Sequence, residues 1–279
     1  MQSVNSWKYY NHAVIPDMAP HEEPVLQSVY DNSIWKQFAK EKPLFAMWTE
    51  GFDCGFETNW WYVIKDTPID INEFTAKRRK NIRTALKKCK IYKIDPSQHA
   101  EELYETYRKA LTRFKKNDSV TPKKAFIEGL KHTKSSVDYW CGEDVATGKI
   151  IGWMSCIVHQ DYVETSSAKY DPEYLKLRVS DAIHYTIIEY YINQQHKRYI
   201  SSGNRSLNHE TNAQIYKIEN FGFRKAYCKL NMLFRPEIRW IVRVAYSLRY
   251  VLEKMDNITF CHQMNAVIKM IDCCDSVNI

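Results

Sequence analysis

Between Lys149 and Phe234 the sequence changes periodicity in an order that few folds accept. Ile150 to Val158 and Tyr162 to Tyr170 read as consecutive strands, and Pro172 closes the second because proline cannot continue a sheet ladder. Val179, Ala182, Ile183, Ile187 and Tyr190 then recur at helical spacing, which predicts a helix from Val179 to about Asn193. Lys197 to Ser202 is a short strand that stops at Gly203. Thr211-Asn212-Ala213-Gln214 has capping-box spacing and opens a helix through Ile215 and Ile218 that ends at Gly222. Ala226, Cys228, Leu230, Met232 and Phe234 alternate with more polar residues, the pattern of a half-buried strand.

Upstream, Lys90 to Ile94 alternates as a strand. His99 to Phe114 carries Leu103, Tyr107, Ala110, Leu111 and Phe114 on one side of a helix. Thr121-Pro122 starts another helix, since proline suits a first helical turn. Val137 to Cys141 and Ile150 to Val158 form a hairpin across Thr147-Gly148. Nearer the N-terminus, Leu44 to Trp48 and Trp60 to Ile64 read as two strands joined by a Gly-bearing loop, their tryptophans in the core. Val25 to Phe38 reads as one loosely periodic helix. Residues 1–20 are polar and proline-interrupted, so the expectation is that they are not a signal peptide.

The chain has 279 residues with 44% hydrophobic and 26% charged, enough apolar residues for a core and too balanced for disorder. The eight cysteines include no Cys-x-x-Cys pair, so reduced thiols in a cytoplasmic protein are expected rather than a disulfide framework, and no metal site. The formal charge is +7, much of it on Lys77-Arg78-Arg79-Lys80-Asn81-Ile82-Arg83-Thr84-Ala85-Leu86-Lys87-Lys88. This basic helix is expected to be mostly a solvated, structural face; phosphates of a tRNA or nucleotide are the alternative partner. After Pro236, Ile241, Val244, Ala245, Leu248, Val251, Leu252 and Met255 form one apolar helical stripe, and Phe260, Met264, Val267, Ile268 and Ile271 a second. A helical hairpin docked on the domain is expected, with a membrane-surface or dimer contact as the alternative. No run of about 18 uncharged apolar residues occurs, so no transmembrane segment is expected.

From Lys90 to Phe234 the order β, α, α, β, β, β, α, β, α, β resembles that of the GNAT acyltransferase superfamily. Pro172-Glu173-Tyr174, followed by Val179-Ser180-Asp181-Ala182-Ile183, is similar to the family's donor-binding turn, but Lys176, Arg178 and Ser180 occupy its three glycine positions. The basic helix and the missing glycines resemble the Fem-type branch and its single-domain N-acyltransferase-like relatives. The resemblance implies an α/β fold: a GNAT-like mixed sheet flanked by helices, with a β-rich N-terminal extension and a helical C-terminal tail. It implies an extension over 1–70 (a possible partial GNAT-like unit), an acyltransferase domain over 71–236 and a tail over 237–279. The implied activity is transfer of an acyl or aminoacyl group from acyl-CoA or another carrier to an amine by direct attack. Fem-type, tRNA-dependent transfer to a peptidoglycan precursor is an alternative, as is a GNAT-shaped binding protein without catalysis. A cavity at the donor site favours an enzyme, and a filled gap between the splayed fourth and fifth strands favours a scaffold.

Amine acylation needs a base, a donor to the carbonyl oxygen and an acid for the leaving group. Glu164 is the acid within the Tyr162 to Tyr170 strand and the candidate base. The family's leaving-group tyrosine position falls on Ile218; Tyr216, two residues earlier, is the candidate acid, with packing as its alternative role. Donor contacts are expected from Ser166, Ala168, Lys176, Arg178, Val179, Ser180, Asp181 and Asn204. The acceptor cleft is expected at Trp153, His159 and Arg205.

Overall fold

The computed structural model describes residues 7–113, 120–207, 212–255 and 258–278. Phe114 and the capping-box Thr211 lie outside the described residues, as does the side chain of Phe260. In chain order the elements are β1 (Trp7–Tyr10), β2 (Ala13–Pro16), α1 (Gln27–Tyr30), α2 (Ile34–Gln37), β3 (Phe45–Glu50), β4 (Trp60–Lys65), α3 (Ala76–Lys88), β5 (Cys89–Ile94), α4 (Ala100–Leu111) and α5 (Lys123–Lys131). There follow β6 (Val137–Asp144), β7 (Ile150–Val158), β8 (Tyr162–Tyr170), α6 (Val179–Ile188), β9 (Tyr199–Asn204), α7 (Asn212–Phe221), β10 (Arg224–Phe234), α8 (Arg239–Ser247), α9 (Arg249–Lys254), α10 (Thr259–Ile271) and β11 (Ser276–Asn278). From β5 to β10 this is the predicted order, element for element, in a mixed α/β fold with a β-rich N-terminal extension and a helical C-terminal tail.

The chain divides into two compact units. One comprises residues 63–203 and 212–224. In it, β5, β6, β7 and β8 run antiparallel in sequence, and β9 adds to β8 in parallel. Helices α4 and α5 bury Ala100, Leu103 and Leu130 against Cys141, Ile150 and Trp153. Helix α6 packs on β6 and β7 through the fully buried Val179 and Ile183. Gly142 and Gly152 make that approach possible. A Cβ on Gly142 would collide with Val179 Cγ2, and one on Gly152 would come within 2.9 Å of Tyr170 Cδ1. Beyond Ile188 the helix widens into a π-helical turn, Glu189–Gln194.

The other unit comprises residues 1–62, 204–211 and 225–279. Here β1 and β2 form a hairpin, β2 lies parallel to β3, β3 is antiparallel to β10, and β11 is parallel to β10. Val14, Val29, Ile34, Trp35, Ala46, Trp48 and Leu233 form a core on one side of this sheet.

Several expectations need correction. The single helix over Val25 to Phe38 is two short turns, because Asn32 adopts a left-handed φ of 63° between them. The Trp7–Pro16 hairpin was not anticipated; Asn11 and His12 make its two-residue turn, both with positive φ (46° and 65°), as a type I′ turn requires. Of the stripe expected to dock on the domain, Ile241, Val244, Leu248, Val251 and Met255 are exposed, and Ala245 and Leu252 are half-buried. The tail packs instead through Val242 and Ile271 against Phe45, Met232 and Phe234.

Candidate active site

The turn after β8 is anchored by Asp171, whose carboxylate is nearly fully buried. It accepts from Glu173 N (3.0 Å) and pairs with Lys109 (3.2 Å) and Lys149 (3.3 Å). Pro172–Leu177 winds as a 3-10 helix, and Arg178 then turns left-handed, at φ 61° and ψ 36°. A non-glycine residue held there costs about 1–2 kcal/mol. The chain therefore keeps a glycine-type backbone at Arg178, a position the resemblance assigns to a glycine, with an arginine side chain added. The Arg178 carbonyl accepts from Asp181 N (2.9 Å) and Ala182 N (3.3 Å), which starts α6.

A pocket of about 910 Å³ opens at this helix start. Its wall is built by α3 (Thr75, Lys77, Arg78, Asn81), the turn (Leu175, Lys176, Arg178), α6 (Ser180, Asp181) and α7 (Tyr216, Glu219, Asn220), with Phe74 beside α3. Thr75 caps α3, accepting from Arg78 N (3.3 Å). Arg78 is the clamp of the site. Its Nη1 donates to Asp181 Oδ2 (3.0 Å) and its Nε to Asn220 O (3.3 Å), while the guanidinium stacks on Phe221 at 4.5 Å. Its buried Nη2 has no hydrogen-bond acceptor among the described residues. Asp181 also accepts from Tyr216 and pairs with Arg178 (3.5 Å). Burial, and then the Asp181 charge, push the Tyr216 phenol up to about 12, so it remains a proton carrier at neutral pH. Among the described residues, Lys77 and Lys176 form no ion pair, so their charge is available to a ligand. Helix start and cations together attract anions.

Beyond this rim, β8 and β9 separate. Their parallel register holds for Tyr162↔Tyr199, Val163↔Ile200 and Glu164↔Ser201 and then ends, although β8 runs on to Tyr170. The Lys217 ammonium from α7 enters the divergence and donates to Thr165 Oγ1 (2.9 Å) and Ser202 Oγ (2.7 Å). Lys217 is 6% exposed, and burial pulls its pKa down to about 8. Beside it, His184 is held neutral, its pKa drawn to about 3 first by burial and then by Lys217; its Nδ1–H donates to Ser180 O (2.7 Å).

The expected residues divide into groups. Lys176, Arg178, Ser180, Asp181 and Tyr216 meet at the pocket, and Val179 lies buried beneath them. Glu164, Ser166 and Ala168 lie along β8. Ser166 is the extra residue of a bulge where the β7–β8 register shifts, and Ala168 pairs with Met154. Glu164 is half-buried and precedes Thr165, so the strand pleat turns it to the face opposite Lys217. Trp153 is a core residue whose Nε1 donates to Leu103 O (3.1 Å). His159 stacks on Tyr162 at 4.2 Å, with its Nε2 buried and unpartnered. Asn204 and Arg205 belong to the other unit, where Arg205 stacks on Trp61 at 4.5 Å and donates to Asn59 O (2.5 Å). The sequence reading missed Lys217, and it did not connect Lys77 and Arg78 to the donor turn. The available signal for Lys217 was its i, i+4 spacing from Phe221, the other buried residue of α7.

No family model matches the chain, and no curated protein matches it in sequence. Solved structures do match. FemX is 9% identical over 79% of this chain and 81% of its own, with a TM-score of 0.54. The C-terminal domain of a putative lysylphosphatidylglycerol synthetase from Agrobacterium fabrum is 9% identical over 80% of this chain and 78% of its own, with a TM-score of 0.46. A GCN5-related N-acetyltransferase from Brucella melitensis is 16% identical over 49% of this chain and 65% of its own, with a TM-score of 0.40. The likeness to FemX shows the fold alone: the chain has a GNAT-like mixed α/β fold.

Proposed function

We propose that the protein is an N-acyltransferase that takes its acyl or aminoacyl group from a phosphate-bearing carrier. The observation that carries this reading is the cationic pocket at the start of α6, opening beside the point where β8 and β9 part. Lys77, Lys176 and Arg178 supply charge to the carrier's phosphates, Ser180 supplies a hydroxyl, and the unpartnered Arg78 Nη2 supplies a directed donor. Acyl-CoA is one such carrier and an aminoacyl-tRNA another.

The chemistry follows from what each residue can hold. The acceptor amine bonds to the acyl carbon on the Lys217 side of β8 and releases its proton to solvent water, because Glu164 faces the other side of the strand. Lys217 offers N–H to the carbonyl oxygen, which gains the π electron pair. Collapse of the tetrahedral centre forms the amide and breaks the bond to the carrier, whose sulfur or oxygen takes a proton from Lys217 or Tyr216. Thr165 and Ser202 orient the lysine.

A second reading, a binding protein of the same shape without catalysis, draws on the same lysine, because its hydrogen bonds bridge the gap through which a donor arm would pass. Single-turnover transfer from acyl-CoA and from aminoacyl-tRNA to a panel of amines separates the two. Acylation of an amine is expected, lowered roughly a hundredfold in Lys217→Met from loss of the donor to the carbonyl oxygen and little changed in Glu164→Gln. Carrier binding without transfer to any amine would favour the second reading, and an unchanged rate in a folded Lys217→Met variant would remove this lysine from the mechanism.

A further inference from the structure

Helices α8 and α9 carry an apolar face that the protein leaves uncovered. Trp240 is 64% exposed, and Ile241, Val244, Leu248, Val251 and Met255 continue the same stripe at three- and four-residue spacing, all exposed. Tyr250 is exposed as well. The opposite side of α8 is satisfied within its own unit: Val242 is buried in the core, and the Tyr246 hydroxyl donates to Asp272 (2.7 Å). The uncovered stripe is therefore not the helix's packing face.

The stripe lies among cations. From Arg239 to Met255 the sequence holds Arg239, Arg243, Arg249 and Lys254 against one acid, Glu253. Arg249 stacks against Tyr246 (4.8 Å) and Tyr250 (4.6 Å), which keeps a guanidinium beside aromatic rings at the edge of the apolar surface. Apolar side chains on one side, cations at the flank, and Trp and Tyr at the boundary match the layering of an acyl–headgroup interface. A heptad seam fits less well. Leu248 caps one helix and begins the next, so the pattern is split between helices of nine and six residues, short of the three or four heptads a coiled coil needs. No helix among the described residues is long and apolar enough to cross a membrane.

We propose that the α8–α9 face docks on the surface of an anionic phospholipid bilayer. The apolar stripe enters the headgroup–acyl boundary while the flanking arginines and Lys254 meet lipid phosphates. The test is flotation of the intact protein with phosphatidylcholine vesicles, with and without phosphatidylglycerol, at low and high salt. A Val244→Asp, Val251→Asp double variant accompanies it; both positions are exposed, and circular dichroism and thermal melting verify its fold. The wild type is expected to float with the anionic vesicles, less so in high salt, and the double variant to lose at least about tenfold in bound fraction. Absence of flotation, or equal flotation of the folded variant, would overturn the proposal. So would a self-association in sedimentation that the variant abolishes while neither protein floats, since the face would then join two copies of the chain.

Discussion

Lys217→Met isolates the buried charge between β8 and β9. The lysine's folded pKa is about 8, against 10.5 for the ordinary group, with burial as the cause. A depressed basic pKa means that the folded state binds fewer protons than the unfolded state between these values, so stability rises with pH across that window. Below about 8 the full cost is present. Integrating the two titrations from about pH 7 to about pH 9.5 gives a recovery of about 2 kcal/mol, out of a total near 3 kcal/mol. Buried cysteines act in the other direction. Burial pushes Cys156 and Cys228 up to about 12, so their contribution to stability declines once the unfolded thiols ionise above their ordinary 9.0. Wild type and variant share the Cys228 contribution, which cancels in their difference, whereas Cys156 feels the Lys217 charge and is pushed further up when the ammonium is removed. Methionine keeps the length and apolar stem of lysine and removes the titration. Urea unfolding of both proteins at several pH values is the assay. The stability of Lys217→Met relative to wild type is expected to be about 2 kcal/mol more favourable near pH 7 than near pH 9.5. A difference that stays constant with pH would mean that the ammonium is solvated in the folded protein, and that it does not occupy a dry gap between the strands. Transfer activity of the variant, measured separately, is expected to fall with loss of the oxyanion donor.

Two further outcomes are expected at the pocket. Bare coenzyme A should bind at high micromolar or weaker in calorimetry, because each lost backbone contact to a charged oxygen costs about 1.5–3 kcal/mol; Lys176→Ala and Arg178→Ala should weaken it further in low salt and little in high salt. Low-micromolar binding of bare coenzyme A would show that the substituted turn is a full cradle. Lys77→Ala with Lys80→Ala removes two exposed cations of α3 without touching the Arg78 clamp; the expectation is little change in tRNA retention, and loss of a tight, salt-dependent interaction would make tRNA the carrier.

Much of the fold was legible because periodicity reports packing. Val179, Ala182, Ile183 and Ile187 are buried on α6 as their spacing required, and β10 alternates as its sequence does. The helix α7 shows where that logic stops. Ile215, an apolar residue of the expected helix, is 54% exposed, while Lys217 is buried. Composition treats lysine as solvent-seeking, and only the hydroxyls of Thr165 and Ser202, brought together by β8 and β9, make its burial tolerable. The first tail stripe departs from expectation for a related reason, whereas α10 packs through Ile271 as its spacing requires. Helical spacing identified an apolar face on α8 correctly, but a stripe carries no information about what will cover it, and the residue that packs, Val242, lies off the stripe. Short strands such as β11 present too few residues to show a period.

Gly142 and Gly152 seat α6 directly against the strands, with Val179 filling the space where their side chains would be. A helix wedged in this way acts as a fixed abutment. It cannot advance toward a smaller carrier, and retreat to admit a larger one would open a void under Val179. Divergence in donor preference among proteins built like this one should therefore come from exchange of the side chains that overhang the helix start. Residues 176 and 180 can be replaced without shifting the backbone that carries them, and residue 178 by side chains that tolerate its left-handed φ, whereas residues 142 and 152 set the ground on which any such variation must stand.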